Sequence, residues 1–351
     1  MNAVPGAYQV RPAELDRERD TVLAEWKKGL GHGEYAAAIF EWVYRDNPAG
    51  MGTIFLLCTG SRGEVVGTQG ISPRLWVIRG EQNRAGVFGD FVVDQRHRSL
   101  GPALTLLRET VRRSSDDFFL LYGFPNRRAA PVYLRSGYKK FGEFTRYSKV
   151  LRSRHYLESN LPTWIVAAAA ATADWGLRLD DYLKHLVFAR NGTGTWTAKI
   201  DERFDRLWAR IDKDNLAMGT RTAEFLRWRF IDKPGDGYEV FVLASRDGQE
   251  LDGYVVCHID NSGFVSVQDI LAADLERTFF CLLSTFVRAA RRRGCKAISA
   301  EFLGPQRAES AFKSLHFKAR SQRDVYCIKS AVAEQATNGS DWYLTAADED
   351  Q

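Results

Sequence analysis

The stretch FGDFVVDQRHRSLGPALTLLRETVRR, residues 88–113, decides how the rest of the chain is read. Its front end belongs to an apolar run over residues 87–93, which fits a buried strand. A short arginine-bearing turn follows. Gly101, Pro102 and an amphipathic helix with Leu104, Leu107 and Val111 on one face come next. Proline suits the first position of a helix, where its missing N–H would have no partner anyway. A strand, a tight basic loop and a helix N-terminus in that order offer backbone N–H groups and a helix dipole to an anion.

Working outward, residues 8–10 read as a strand, 13–30 and 36–44 as helices, and Asn47-Pro48 as the stop. Strands are expected over 53–58 and 64–71, joined by the turn Gly60-Ser61-Arg62-Gly63, and a further hairpin over 76–79 and 85–93. After the loop and its helix, residues 118–122 form an apolar strand, 127–135 a helix and 138–150 the closing strand or two. The expected order is β-αα-βββ-α-β-α-β.

Two spaced motifs sit on these elements. The first is V-x-x-x-x-R-x-x-G-x-A, made by Val93, Arg98, Gly101 and Ala103. The second is N-x-x-A-x-x-x-Y-x-x-x-G-Y, made by Asn126, Ala129, Tyr133, Gly137 and Tyr138. Either alone is common. Together, and in this order of elements, residues 8–150 resemble the GCN5-related N-acetyltransferases (GNAT), an α/β (α+β) class with a mixed central sheet flanked by helices. The resemblance implies acetyl-CoA as acyl-donor substrate. It implies backbone groups of Phe91, Val92 and Val93 on the pantetheine arm. The pyrophosphate would lie in the loop of Arg98, Ser99, Leu100, Gly101, Pro102 and Ala103, with charge added from Arg96, His97 or Arg98. It also implies Asn126 on the pantetheine arm or a water, Tyr133 as general acid toward the thiolate, and direct attack by an amine with both substrates bound. The family often has a second glycine where Ser99 stands and a basic residue where Leu100 stands, and Pro102 gives up one N–H. Asp90, on the fourth strand, is the candidate general base or else a structural acceptor, with Tyr122, Glu143 and His97 as lesser candidates for the base; Phe91 should point to the opposite face. Asp94 reads as a turn residue.

The chain then repeats itself. Glu41-Trp42-Val43-Tyr44-Arg45-Asp46-Asn47-Pro48 recurs as Arg227-Trp228-Arg229-Phe230-Ile231-Asp232-Lys233-Pro234, an offset of 186 (228 − 42). Further on the offset is 179: Arg98 meets Arg277, Ala129 meets Ala308 and Tyr138 meets Phe317. This reads as two tandem acyltransferase-type folds: a catalytic unit over 1–150, a helical connector over 151–203, a second unit over 204–334, and a frayed acidic tail over 335–351. In the second unit Phe280 stands at Gly101, Leu282 at Ala103, Pro305 at Asn126 and Phe312 at Tyr133. No phosphate approaches a backbone covered by Phe279 and Phe280, and a phenyl ring donates no proton. The second unit is therefore expected to bind no cofactor and to complete the substrate cleft or the core.

In the connector, residues 162–186 read as a helix packed between the units or, more sharply, as a surface for a membrane or a lipid-linked substrate. Asn191-Gly192-Thr193-Gly194-Thr195 reads as a loop. Of 351 residues 45% are apolar and 26% charged, with net charge +5, so the chain is globular and only mildly basic. That balance suits an anionic ligand and argues against nucleic acid. The five cysteines form no CxxC pair or zinc-finger spacing, and no metal site is expected. No signal peptide and no spanning segment are read, which leads to the expectation of a cytoplasmic protein. The acceptor is expected to be a primary amine. The WxYxxNP-type segment at Trp42 resembles tandem acetyltransferases of polysaccharide and cell-envelope biosynthesis, which implies an amino sugar. Two rivals stay open. One is a Fem-type aminoacyl transferase, against which the loop at Arg98 to Ala103 argues. The other is an acyl-CoA-binding regulator or scaffold without turnover.

Overall fold

The computed structural model describes residues 8–60, 63–153, 193–235, 237–329 and 341–350, together with 171, 172, 174–176, 179, 182 and 334. The expected connecting helix over 162–186 lies outside the described residues apart from those few positions. No helix among the described residues is long and apolar enough to cross a membrane.

The first half runs β1 (Tyr8–Pro12), α1 (Arg19–Gly29), α2 (Ala36–Tyr44), β2 (Thr53–Thr59), β3 (Val65–Ile78), β4 (Glu81–Val93), α3 (Leu100–Ser114), β5 (Leu120–Gly123), α4 (Ala130–Arg135) and β6 (Lys139–Val150). The second half runs β7 (Thr193–Thr197), α5 (Glu202–Arg210), β8 (Leu216–Gly219), α6 (Ala223–Leu226), β9 (Glu239–Ala244), β10 (Leu251–Ile259), β11 (Phe264–Ala272), α7 (Arg277–Arg292), β12 (Ala297–Leu303), α8 (Gln306–Ser314), β13 (Lys318–Lys329) and β14 (Asp341–Thr345). With β8 and β14 set aside, the order of elements recurs. β9 starts 186 residues after β2 (239 − 53), and β13 spans the residues 179 beyond β6 (318 − 139 and 329 − 150).

The two halves exchange their closing strands. The sheet order is β1-β2-β3-β4-β5-β13-β6-β12-β11-β10-β9-β7, so β13 of the second half seats beside β5 and β6 of the first beside β12. β8 and β14 then bridge β3 to β12, which closes eight strands into a ring. Its interior is apolar, with Trp76, Val87, Leu120, Tyr122, Phe144 and Val325 all buried. At the junction the repeated tryptophans meet. Trp42 Nε1 donates to the Trp228 carbonyl at 2.7 Å, Trp228 Nε1 donates to the Trp42 carbonyl at 2.9 Å, and the rings stack at 4.9 Å. Each buried indole N–H is thereby satisfied by its own repeat partner.

Four expectations change. β3 runs on through Pro73 instead of breaking after Ile71. β2 stops pairing at Ile71, so the missing N–H of Pro73 meets no neighbour, and Asn47 Nδ2 donates to the Pro73 carbonyl at 3.0 Å. α3 begins at Leu100, which puts Pro102 in the third position of the first turn. The loop read over Asn191 to Thr195 is, from Thr193, the strand β7 paired with β9, because a second copy needs its first edge strand too. Finally, residues 341–350 are not frayed: β14 pairs with β8 and β12, and Tyr343, Leu344 and Ala347 are buried. The apolar Tyr-Leu pair outweighs the acidic composition around it.

Candidate active site

The site begins where two parallel strands part. β4 and β5 pair only at Ala85↔Leu120, Gly86↔Leu121 and Val87↔Tyr122. Beyond Val87, β4 continues to Val93 without β5, and a cleft of about 470 Å³ opens there. It is lined on the strand side by Phe91, Val92 and Val93 and on the helix side by Arg98, Ser99, Leu100 and Ala103, with Asn126, Ala129 and Arg128 opposite. A bulge drives the divergence. Thr68 faces Val92 while Gly70 faces Gly89, so Asp90 and Phe91 oppose Gln69 alone. Asp90 sits at φ +52, a left-handed conformation rare for a residue with a side chain. Gln69 Nε2 on the Gly89 carbonyl (2.7 Å) and the Thr68 hydroxyl on the Asp90 carbonyl (3.1 Å) hold it there.

At the far end of the cleft stands the N-terminus of α3. The helix is seated by buried Leu106, Leu107, Thr110 and Ser114, which recur at helical spacing. Ser99, its cap position, makes no side-chain capping bond. The first turn of α3 therefore has no capping side-chain oxygen, and Ser99, Leu100 and Ala103 line the cleft there while the predicted Gly101 and Pro102 are not among its lining residues. Arg98 arches over the strand end, donating to the Val93 carbonyl at 3.2 and 3.3 Å. The other basic residues of the loop look elsewhere: Arg96 pairs with Asp94 and Glu64, and the Tyr8 hydroxyl bonds His97 Nδ1 at 2.9 Å. Arg128, which the sequence reading passed over, supplies the second cation of the cleft. Asp94 is the turn residue expected, accepting from the Arg96 N–H at 2.9 Å. Asn126 is exposed, and its side-chain oxygen accepts from the N–H groups of Arg128 and Ala129 at 3.0 and 3.1 Å, fixing the turn into α4.

The candidate acid and base are not in the cleft wall itself but stand next to it in the chain, Asp90 beside Phe91 and Tyr133 beside Val132. Tyr133 is buried, its ring edge-on to Phe88 and tilted on Tyr138. It packs so closely on Gly123 that a Cβ there would come within 3.0 Å of the ring. Burial, with the charge of Asp350 behind it, pushes the phenol well above its usual range, so it stays protonated. The Asp90 carboxylate accepts from the Tyr44 hydroxyl at 2.5 Å and lies 2.8 Å from His32 Nε2. Beside it is a residue the sequence reading placed in a frayed tail. A Cβ on Gly89 would come within 2.8 Å of the Asp350 carboxylate. Burial first, and then the charge of Asp90, push the Asp350 carboxyl up to about 7. Two carboxylates so close do not both ionise easily.

No protein-family profile matches the chain, and no curated protein matches its sequence. Solved structures do. A probable N-acyltransferase from Enterococcus faecalis V583 superposes at TM-score 0.64 and 12% identity, over 94% of this chain and 74% of its own. A GCN5-related N-acetyltransferase from Anabaena variabilis ATCC 29413 does so at 0.63 and 12%, over 91% and 72%. The Saccharomyces cerevisiae N-myristoyltransferase with bound myristoyl-CoA does so at 0.53 and 13%, over 93% and 84%. The fold is that of the GCN5-related N-acetyltransferases.

Proposed function

We infer that the chain is an acyl-CoA-dependent N-acyltransferase, with acetyl-CoA as donor and a primary amine as acceptor, and with the donor site in residues 1–150. One observation carries this reading. The cleft between β4 and β5 is lined by Phe91, Val92 and Val93 and by an uncapped helix N-terminus, and the residues adjoining that lining are a carboxylate, Asp90, and a buried phenol, Tyr133. The helix N-terminus suits a diphosphate, and the adjoining acid and phenol suit a reacting thioester. On this reading the pantetheine arm lies along Phe91, Val92 and Val93, and a backbone N–H there meets the developing oxyanion. Asp350, poised near neutrality and steered by Asp90, takes the ammonium proton directly or through water. The amine attacks the thioester carbon, the carbon–sulfur bond breaks, the Tyr133 hydroxyl gives its proton to the departing thiolate, and the second proton shed by the acylated nitrogen returns to the Tyr133 oxygen. Acidic groups beside the cleft favour a cationic amine, and an amino sugar is the acceptor class we propose.

Among its described residues the second half offers no equivalent. The N-terminus of α7 is already capped by a carboxylate: Asp274 accepts from the N–H groups of Glu276, Arg277 and Thr278 at 3.2, 2.9 and 3.1 Å. Phe279, Phe280 and Phe312 fill the space beside it. We therefore assign one donor site per chain. Calorimetry with acetyl-CoA, followed by thiol release with a panel of primary amines, tests the reading. Binding at one site with turnover is expected. No binding removes the donor assignment, and binding without turnover on any amine makes the chain a sensor.

A further inference from the structure

Asp350 lies in the first half's site, yet what holds it there belongs to the second half. β11 and β12 part as β4 and β5 do, pairing in parallel only from Phe264↔Ala297 to Val267↔Ala300. The chain's own C-terminal segment enters the space they leave. β14 bonds the far end of β12 at Phe302↔Thr345 and Leu303↔Leu344, and the Tyr343 hydroxyl donates to the carbonyl of Ile270. Ile270 is the counterpart of Phe91 (270 − 179). The segment thus takes the place along β11 that the donor's arm is given along β4.

Asp269, the counterpart of Asp90 (269 − 179), anchors it. The fully buried Arg221 donates Nε to Asp269 at 3.0 Å, Nη1 to the carbonyls of Gly219 and Thr220, and Nη2 to Asp348 at 2.6 Å and to the Thr345 hydroxyl at 3.3 Å. Every guanidinium face is used. Tyr254 and Thr345 hydroxyls donate to the same Asp269 carboxylate at 2.7 and 2.6 Å. Past this knot the backbone is gripped carbonyl by carbonyl. Arg229 Nε reaches Ala347 at 3.1 Å and its Nη2 reaches Ala346 at 3.2 Å, while the Tyr122 hydroxyl donates to Asp348 at 3.0 Å. Arg323 pairs with the Glu349 side chain. The next residue is Asp350, set against Gly89.

We propose that Arg221 is a positioning residue for the first half's reaction: by tying Asp269 to Thr345 and Asp348, it seats the Asp350 carboxylate over Gly89. The inference rests on the acyltransferase reading above. It also assigns the second half its part. On this reading that half holds no donor and serves as the mount for a proton acceptor used in the first half.

The test uses the full chain with Asp348→Asn, Arg221→Met and Arg221→Lys, and measures three things: amide exchange over residues 343–350, coenzyme A affinity by calorimetry, and the pH profile of thiol release from acetyl-CoA with a primary-amine panel. Misplacing a reacting group by about 1 Å costs on the order of 100-fold. We expect Asp348→Asn and Arg221→Met to speed exchange at least about tenfold and to lower kcat by about 10- to 100-fold with a displaced acid limb. KM for acetyl-CoA and coenzyme A affinity should stay within about twofold, since the α3 loop is untouched. Arg221→Lys should restore part of kcat. Faster exchange with unaltered kcat and pH profile overturns the proposal, and so does a parallel loss of coenzyme A affinity. If Arg221→Met does not fold, the isosteric Asp348→Asn decides alone. A wild-type chain that turns over no amine refutes the acyltransferase reading itself; an active wild type with indifferent variants refutes only the role of Arg221.

Discussion

The sharpest consequence of the site concerns Asp350 and pH. An aspartate ordinarily titrates at 3.8, and here burial and Asp90 push it up to about 7. At pH 6 only about a tenth of the molecules carry the ionised base, and at pH 8 about nine-tenths do, so kcat/KM should climb roughly tenfold between them. The amine's own deprotonation adds slope in the same direction, so variants are compared on one amine and the ratio to wild type is plotted. Asp90→Asn removes a like charge, and the acid limb should move to lower pH. Asp350→Asn should abolish the limb and lower the plateau by about 10²- to 10⁴-fold. Stability must answer with the opposite sign. A carboxyl whose folded pKa is raised favours folding when protonated, so its contribution is complete below about pH 4 and lost as pH rises through about 7. That rise corresponds to at most about 4 kcal/mol, and solvent screening at a partly exposed position reduces it to on the order of 1–3 kcal/mol. Asp350→Asn should therefore melt above the wild type at pH 8 and with it at pH 4. An acid limb that persists in Asp350→Asn, or that Asp90→Asn leaves in place, refutes the reasoning.

Other outcomes follow from the same geometry. Tyr133→Phe should reduce turnover by about 10²-fold or more while coenzyme A binds as before, read by steady-state kinetics and calorimetry. Gly101→Glu should abolish acetyl-CoA binding, because a carboxylate would stand at the helix N-terminus meant for phosphate; unchanged affinity removes the loop assignment. Calorimetry of the wild type should give one donor site per chain, since Asp274 already caps α7. Gly70→Ala should cost about 1–3 kcal/mol by denaturant titration, because a Cβ there overlaps the Tyr44 hydroxyl that donates to Asp90.

Local patterns were legible in the sequence and long-range ones were not. The run from Val87 into Pro102 spells strand, turn and helix, and a cleft there is lined by Phe91, Val92, Val93, Arg98 and Ala103, though not by Gly101 or Pro102. The 186-residue echo of Trp42 is legible too, and the two indoles turn out to face each other. What escaped was decided by contacts across the chain. His32 and Tyr44 have no spacing that announces a bond to Asp90. The bulge that turns Asp90 left-handed is a property of pairing with β3. Asp350 hides in an acidic terminal stretch whose composition reads as solvated, and only Tyr343, Leu344 and the buried Arg221 reveal that it is held. The strand exchange left no local signal either, because β6 and β13 look alike to any neighbour that shares their repeat.

That exchange has a consequence for how the chain is made. During synthesis β5 waits with an open edge until β13 arrives 195 residues later (318 − 123), and β6 waits 147 for β12 (297 − 150). A nascent first half is thus a sticky intermediate that cannot finish alone. Cut between the halves, the two pieces should tangle when produced separately and become soluble when produced together.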